Sequence, residues 1–186
     1  GDVPIHTTNI ILSHNRIEEA TAYLAKKFPS SITCLIGGDH SITACAVRGI
    51  KKAFPNETIG VFQLDTHLDV RNPEEIGPAN GTPIRQLVDA RIVKGEHIFN
   101  IGPHGYFNAK PLIQYAKKQG IRFIPLHLAR KQNLLETVRM SLGQLSAKTD
   151  RIYATVDMDV LHIGDAPGVP ASTPGGMAAR ELFDIL

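Results

Sequence analysis

The segment Asp65-Thr66-His67-Leu68-Asp69 follows directly on Thr58–Leu64, an apolar stretch with β-branched and aromatic residues that is typical of a buried strand. Side chains two positions apart on extended backbone point to the same side, so the two aspartates and the histidine are able to converge on one point. Two carboxylates packed near a core repel each other and are poorly solvated unless a cation joins them. The segment therefore predicts a divalent-metal site at the end of a strand.

Two further predicted strands end in the same residue types. Arg151–Val156 runs into Asp157-Met158-Asp159, and Ser31–Ile36 runs into Gly37-Gly38-Asp39-His40-Ser41. The carboxyl ends of strands form the ligand crevice of open α/β sheets. Together the three strand ends supply six candidate metal ligands: His40, Asp65, His67, Asp69, Asp157 and Asp159.

The number and type of these ligands indicate a two-metal hydrolytic site. Six ligands exceed the four of a closed zinc site, and they suit two divalent ions about 3.5–4 Å apart that share an activated water. Oxygen-rich ligation with some imidazole favours Mn²⁺, with Fe²⁺, Co²⁺ and Zn²⁺ left open. A single aspartate at a strand end more often caps a helix or shapes a turn. The joint pattern favours the metal, because carboxylates seldom pair without a cation or partner.

The bulk properties narrow the class of protein. The 186 residues carry a net charge of +2 without a long basic run, and no apolar run is long enough to span a bilayer. We therefore expect neither nucleic acid nor a membrane as a partner. Cys34 in a predicted core strand and Cys45 in a predicted helix are expected to be buried reduced thiols, as in a cytoplasmic protein.

Helical and extended patterns alternate along the chain, which predicts a mostly parallel sheet covered by helices in a single α/β domain of residues 1–186. Helices are predicted at 16–28, 41–54, 82–88, 108–119 and 134–145, and strands at 31–36, 58–64, 97–101, 121–124 and 151–156. Irregular loops are predicted at 71–81 and 162–176. The chain begins without Met and stops inside a helical pattern, so we expect an internal piece of a longer protein.

Three blocks resemble the signatures of the ureohydrolases, the family of arginase, agmatinase, guanidinobutyrase and formimidoylglutamase. They are residues 37–41, 65–69 and 156–161, and residues 166–168 and 174–176 are similar to the block that follows. The resemblance implies a three-layer α/β/α sandwich, truncated here at both ends, and assembly into trimers or hexamers. It also implies two Mn²⁺ ions, one held by His40, Asp65, Asp69 and Asp157, the other by Asp65, His67, Asp157 and Asp159.

The loop that follows Asp69 is similar to that of bacterial formimidoylglutamases. Asn80 stands where arginases and agmatinases carry a proton-shuttle histidine, and an asparagine cannot shuttle a proton. The resemblance implies hydrolysis of N-formimidoyl-L-glutamate to L-glutamate and formamide. Asp69 or Asp159 would carry the proton to the leaving nitrogen. Arg71 and Arg85 would grip substrate carboxylates, and Asn80 would orient the substrate.

The sequence departs from the family pattern in two further respects. His162 stands where the family commonly has an aspartate. The family's C-terminal segment, with an acidic residue that binds the amidine or guanidinium group, is not in this sequence. Three other functions stay open: a ureohydrolase for a guanidino compound, a metallophosphoesterase, and a non-catalytic metal-binding subunit or fragment. The phosphoesterase lacks support, because no Gly-Asn-His-Asp/Glu block follows the Asp-x-His pair.

Overall fold

The computed structural model describes residues 1–186, with eight α-helices and four β-strands. The helices are α1 (Ile10–Lys27), α2 (Ile42–Ala53), α3 (Pro73–Ile76), α4 (Pro83–Asp89), α5 (Lys110–Gln119), α6 (Leu126–Lys131), α7 (Leu134–Ser146) and α8 (Ala179–Ile185). The strands are β1 (Ile59–Leu64), β2 (Ile98–Ile101), β3 (Arg122–Ile124) and β4 (Arg151–Val156). None of the helices is both long and apolar enough to cross a bilayer.

The residues cluster into two compact units, and the first contains residues 1–59 and 69–92. Its main feature is the packing of α1 on α2. The Asn9 side chain caps α1 by accepting a hydrogen bond from Leu12 N at 2.9 Å, and Lys26 and Lys27 lie in the last turn, where cations are favoured. Gly49 lets the helices approach closely, because a Cβ there would lie 2.5 Å from Glu18 O.

The second unit contains residues 60–68 and 93–186 and is built on the sheet. The four strands lie in the order β3-β2-β1-β4, and β1 and β3 each pair in parallel with β2. All six residues of β1 are buried, as expected for the centre of a parallel sheet. The predicted α/β class with a parallel sheet is confirmed, whereas the single-domain organisation stays a prediction.

The core of the second unit lies between the sheet and α6, α7 and α8. Apolar residues of β1 and β2 pack with residues from these helices and from the turn after β4: Phe62, Leu64, Phe99, Ile101, Leu126, Val138, Leu145, Val160 and Leu182. Burial at about 25 cal/mol per Å² of apolar surface is the main force that holds this layer on the sheet. The packing fixes the strand ends from which the candidate ligands project.

The strand predicted at Ser31–Ile36 is wrong. These residues adopt no regular structure, Ile32 and Ile36 are 99% and 96% exposed, and Cys34 is exposed rather than buried. An extended segment becomes a strand only when neighbouring backbone supplies hydrogen bonds, and this segment is not part of the sheet. Cys45 is buried in α2, as expected. Sequence analysis also missed α3 and α6.

Candidate metal centre

Asp65 and His67 follow directly on the end of β1. The pairing with β2 continues to Asp65, whose N donates to Ile101 O at 3.3 Å, and the chain then bends at Thr66 and His67. Asp65 is completely buried, and its Oδ1 accepts a hydrogen bond from His67 N at 2.6 Å. This local bond turns the Asp65 carboxylate toward the His67 backbone and helps to hold both residues at the strand end.

The turn after β4 brings a second carboxylate to His67. Asp157 caps this 3₁₀ turn by accepting from Asp159 N at 3.0 Å, and Asp159 is only 5% exposed. His67 Nδ1 lies 3.0 Å from Asp159 Oδ2 and 3.5 Å from Asp65 Oδ1. Ligand atoms of Asp65, His67 and Asp159 all lie within 4.8 Å of one another, a group that does not include Asp157.

The pKa values of Asp159 and His67 are both shifted, because several carboxylates lie close together in a buried position. Burial raises the pKa of Asp159 to about 6, with the nearby Asp65 and Asp157 charges adding to the rise and His67 opposing it. Burial lowers the pKa of His67, but the hydrogen bonds with Asp159 and Asp65 outweigh it and raise the pKa to about 10. The protonated imidazole thus supplies the positive charge that the carboxylates require.

The chemistry of these side chains fits a divalent cation. Two buried carboxylates and one imidazole offer hard oxygen and borderline nitrogen ligands, a combination that Mn²⁺ and similar ions accept. A cation would replace the His67 proton as the charge that balances Asp65 and Asp159. The residues at the end of β1 and β4 therefore suit a metal ion better than an isolated ion pair.

In the first unit, His40 and Asp69 form a close pair. His40 Nδ1 lies 2.7 Å from Asp69 Oδ2, and the residues are 8% and 7% exposed. Asp69 has a positive φ of 52°, and its carbonyl accepts from Ile84 N at 3.2 Å and Arg85 N at 3.3 Å. The start of α4 therefore holds Asp69 in a left-handed conformation that is uncommon outside glycine.

The predicted substrate residues lie around the loop between Asp69 and α4. Asn80 and Arg71 are exposed, and Arg71 N donates to Gly81 O at 2.9 Å. The Arg85 guanidinium pairs with Asp89 one turn later in α4, at 3.1 Å from Nε to Oδ2. The substrate roles of Asn80, Arg71 and Arg85 stay predictions.

Sequence analysis missed several polar residues that support residues 65–68, which we call the ligand segment. Gln63 and Asn100 are 0% and 1% exposed, and both donate hydrogen bonds to residues of this segment. Asn108 Oδ1 accepts from Leu68 N at 2.9 Å, and its Nδ2 donates to Thr66 O at 2.8 Å. A usable signal existed for Gln63 and Asn100, since each is a polar residue within an otherwise apolar strand.

His104 also belongs to these supporting residues. Its Nδ1 lies 2.9 Å from Gly102 O and 3.1 Å from Thr66 Oγ1. Its ring lines a pocket of about 360 Å³, together with Leu68, Asn108, Leu126, His127 and Arg130. The ligand segment therefore lies against a cavity on the side of Leu68.

Comparison with known proteins identifies the family of this chain. A model of the arginase family matches residues 1–186. The chain is 38% identical to formimidoylglutamase from Bacillus subtilis strain 168 over 186 residues, which is 100% of this chain and 58% of that protein. It is also 38% identical to formimidoylglutamase from Halalkalibacterium halodurans over 183 residues, covering 98% of this chain and 57% of that protein.

Solved structures show the same relationship. The crystal structure of Bacillus subtilis formimidoylglutamase superposes with a TM-score of 0.94 at 37% identity, over 100% of this chain and 57% of that one. Trypanosoma cruzi formiminoglutamase with Mn²⁺ superposes with a TM-score of 0.86 at 26% identity, over 97% of this chain and 59% of that one. The chain belongs to the arginase family. It spans a little under three fifths of the length of these relatives.

Proposed function

We propose that the protein containing this chain is a manganese-dependent formimidoylglutamase. It would hydrolyse the C–N bond of N-formimidoyl-L-glutamate, an intermediate of histidine degradation, to give L-glutamate and formamide. The observation that carries the proposal is the cluster of His67 with the buried Asp65 and Asp159, in a chain 38% identical to Bacillus subtilis formimidoylglutamase. Asn80 supports the choice within the family, because it replaces the proton-shuttle histidine implied for arginases and agmatinases.

The metal ligands in this proposal are the six candidates that the sequence indicates. His40, Asp65, Asp69 and Asp157 would hold one ion, and Asp65, His67, Asp157 and Asp159 the other. The solved Trypanosoma cruzi relative contains Mn²⁺, which supports manganese as the metal here. When bound, such ions lower the pKa of water toward about 7 and so supply hydroxide at neutral pH.

The protein's own residues would orient the substrate and move the proton. The amidine carbon is a weak electrophile, so attack needs a strong nucleophile. The leaving nitrogen must be protonated as the C–N bond breaks, because an amine anion is a poor leaving group. Asp159 is the carboxylate we assign to this transfer, with Asp69 as the alternative. Arg71 and Arg85 would bind substrate carboxylates, and Asn80 would donate a hydrogen bond to the substrate.

The deciding experiment measures products from three substrates. The full-length protein, loaded with Mn²⁺, is incubated with N-formimidoyl-L-glutamate, arginine and agmatine, and formamide and urea are quantified. Formamide without urea supports the proposal. Urea from a guanidino substrate would instead support another ureohydrolase activity, and no product from any substrate despite bound metal would support a non-catalytic metal-binding subunit.

Two further properties belong to the same proposal. We propose a homo-oligomer, a trimer or hexamer as the family resemblance implies, which sedimentation of the full-length protein would measure. We also propose a cytoplasmic location, which is supported by the two free cysteines, Cys34 and Cys45.

A further inference from the structure

Gln63 is a buried amide that contacts the ligand segment directly. It lies in the middle strand β1 with no exposed surface. Its Nε2 donates to Asp65 Oδ2 at 2.5 Å and lies 3.5 Å from His67 O. Because Asp65 Oδ1 accepts from His67 N, each oxygen of this carboxylate has an N–H donor. The plane of the Asp65 carboxylate is therefore held from two sides.

Asn100 supplies a second amide from the neighbouring strand. In the parallel pairing of β1 with β2, Gln63 lies directly opposite Asn100. The Asn100 side chain is 1% exposed, and its Nδ2 donates a hydrogen bond to His67 O. The His67 carbonyl thus faces donors from both strands, and the backbone that carries the imidazole is tied to the sheet.

The hydrogen-bond acceptors beside Gln63 and Asn100 fix the orientation of the two side-chain amides. A carboxylate and a backbone carbonyl only accept hydrogen bonds, so the NH₂ groups must point toward them and the amide oxygens away. Gln63 Oε1 and Asn100 Oδ1 are buried and accept no hydrogen bond from the protein. Unpaired buried acceptors are costly in the middle of a sheet, where an aliphatic side chain would avoid that cost. Packing alone therefore does not explain the two amides.

We propose that Gln63 and Asn100 are a pair of positioning residues for the metal centre. Their neutral N–H groups set the direction of the Asp65 carboxylate and of the His67 backbone without adding a charge beside the ligands. The inference rests on the proposed metal site and names residues that act through the ligands rather than on the substrate. Polar partners behind metal ligands typically contribute about 10- to 100-fold to metal affinity.

The test is metal affinity, measured separately from activity. Gln63→Met keeps the length of the side chain and removes the donor, and Asn100→Leu does the same at the second position. Mn²⁺ binding to the full-length protein is measured by calorimetry, and the bound ion is examined by its electron paramagnetic resonance spectrum. Ser141→Ala is the matched control, because it removes a buried hydroxyl that donates to Thr137 O at 2.8 Å in α7, within the same unit.

We expect each variant to bind Mn²⁺ roughly 10- to 100-fold more weakly than the parent, with an altered spectrum, while Ser141→Ala binds as the parent does. The double variant should lose less than the product of the two single effects, because both amides serve His67 O. Parent-like affinity in both folded single variants would overturn the proposal. Failure of both to fold would also overturn it, because the amides would then be needed for folding itself.

Failure of the positioning role of Gln63 and Asn100 can be distinguished from failure of the proposed enzymatic function. A parent protein that binds Mn²⁺ but releases no formamide would remove the assigned reaction, while weaker Mn²⁺ binding by Gln63→Met would still establish the positioning role. A parent protein that binds no divalent ion would overturn both.

Discussion

His67 Nδ1 lies 3.0 Å from Asp159 Oδ2, although 92 positions separate the two residues in the chain. The contact joins the end of β1 to the turn after β4, two strands that are neighbours in the sheet. The negative charge of the two buried carboxylates beside this imidazole is balanced either by a proton on the ring or by a bound cation. Several measurable properties of the protein depend on this contact and on the packing around it.

Mn²⁺ is expected to stabilise the protein against unfolding, and His67→Ala should remove most of the effect. An ion that binds only the folded state adds RT ln(1 + [L]/Kd), which is about 2.7 kcal/mol at a hundredfold excess over Kd. Thermal unfolding of parent and variant, with and without Mn²⁺, measures this shift. An undiminished Mn²⁺-dependent shift in His67→Ala would show that His67 is not a ligand. His127→Ala, at an exposed position, is the control.

Asp159→Asn should lower kcat by roughly 10²–10⁴-fold, the usual contribution of a general acid–base group. The amide keeps the shape of the side chain but cannot accept and return a proton. Bound manganese must be quantified in the same samples, because Asp159 is also a candidate ligand. Unchanged turnover with metal retained would leave Asp69 as the remaining candidate for the proton transfer.

Arg71→Ala and Arg85→Ala should raise KM for formimidoylglutamate more than they lower kcat, because loss of a carboxylate contact weakens ground-state and transition-state binding alike. Arg139→Ala, at an exposed position of α7, is the control for loss of one positive charge. Steady-state kinetics at two ionic strengths distinguish a contact from a general charge effect. Parent-like KM values in both variants would mean that neither arginine binds the substrate carboxylates.

Gly102 and Gly143 should respond oppositely to substitution by alanine. Gly102 has φ of +127°, and a Cβ there would lie 2.5 Å from Val160 Cγ2 and 3.0 Å from Asp65 O. We expect Gly102→Ala to lower the free energy of unfolding by roughly 1–3 kcal/mol or more. Gly143 lies inside α7 with open space at its Cβ position, so Gly143→Ala should add about 0.5–1 kcal/mol. Denaturant titrations of both variants check the two signs.

Two buried histidines should contribute a loss of stability as the pH drops below about 6.5. Burial lowers the pKa of His97; Lys94 and Lys148 lower it further, and Glu96 opposes the shift. Burial also lowers the pKa of His14, where Arg48 acts in the same direction and Asp39 opposes it. A group with a lowered pKa in the folded state takes up protons on unfolding, so its stabilisation is present above the ordinary value of 6.5 and is lost below it.

His97→Phe tests this pH dependence. The variant should show a shallower loss of unfolding free energy between pH 7 and pH 5 than the parent, because one of the two buried titrating groups is gone. The exposed His127→Phe leaves both buried histidines in place and should follow the parent curve. An unchanged slope in His97→Phe would mean that other groups govern acid sensitivity. The measurement needs metal-free protein, so that metal release does not contribute.

Local sequence pattern predicted much of the fold because apolar periodicity reports burial directly. The six residues of β1 read as a continuous apolar run with one interruption, and all six are buried. The helical spacing of α2 and α7 also matches the observed elements to within a residue or two. The segment Ser31–Ile36 has an equally good strand pattern but forms no strand, because pairing depends on a neighbouring strand rather than on the segment's own residues.

The sequence by itself determined which candidate ligands lie together at a strand end. Asp65 and His67 are two positions apart, and the hydrogen bond from His67 N to Asp65 Oδ1 links them without help from distant residues. Only the tertiary structure decided that Asp159 meets His67, and that Gln63 lies opposite Asn100 behind the ligand segment. The physical reason is that spacing along a strand is a local property, whereas strand order and register arise from side-chain packing and hydrogen bonds between segments far apart in the chain.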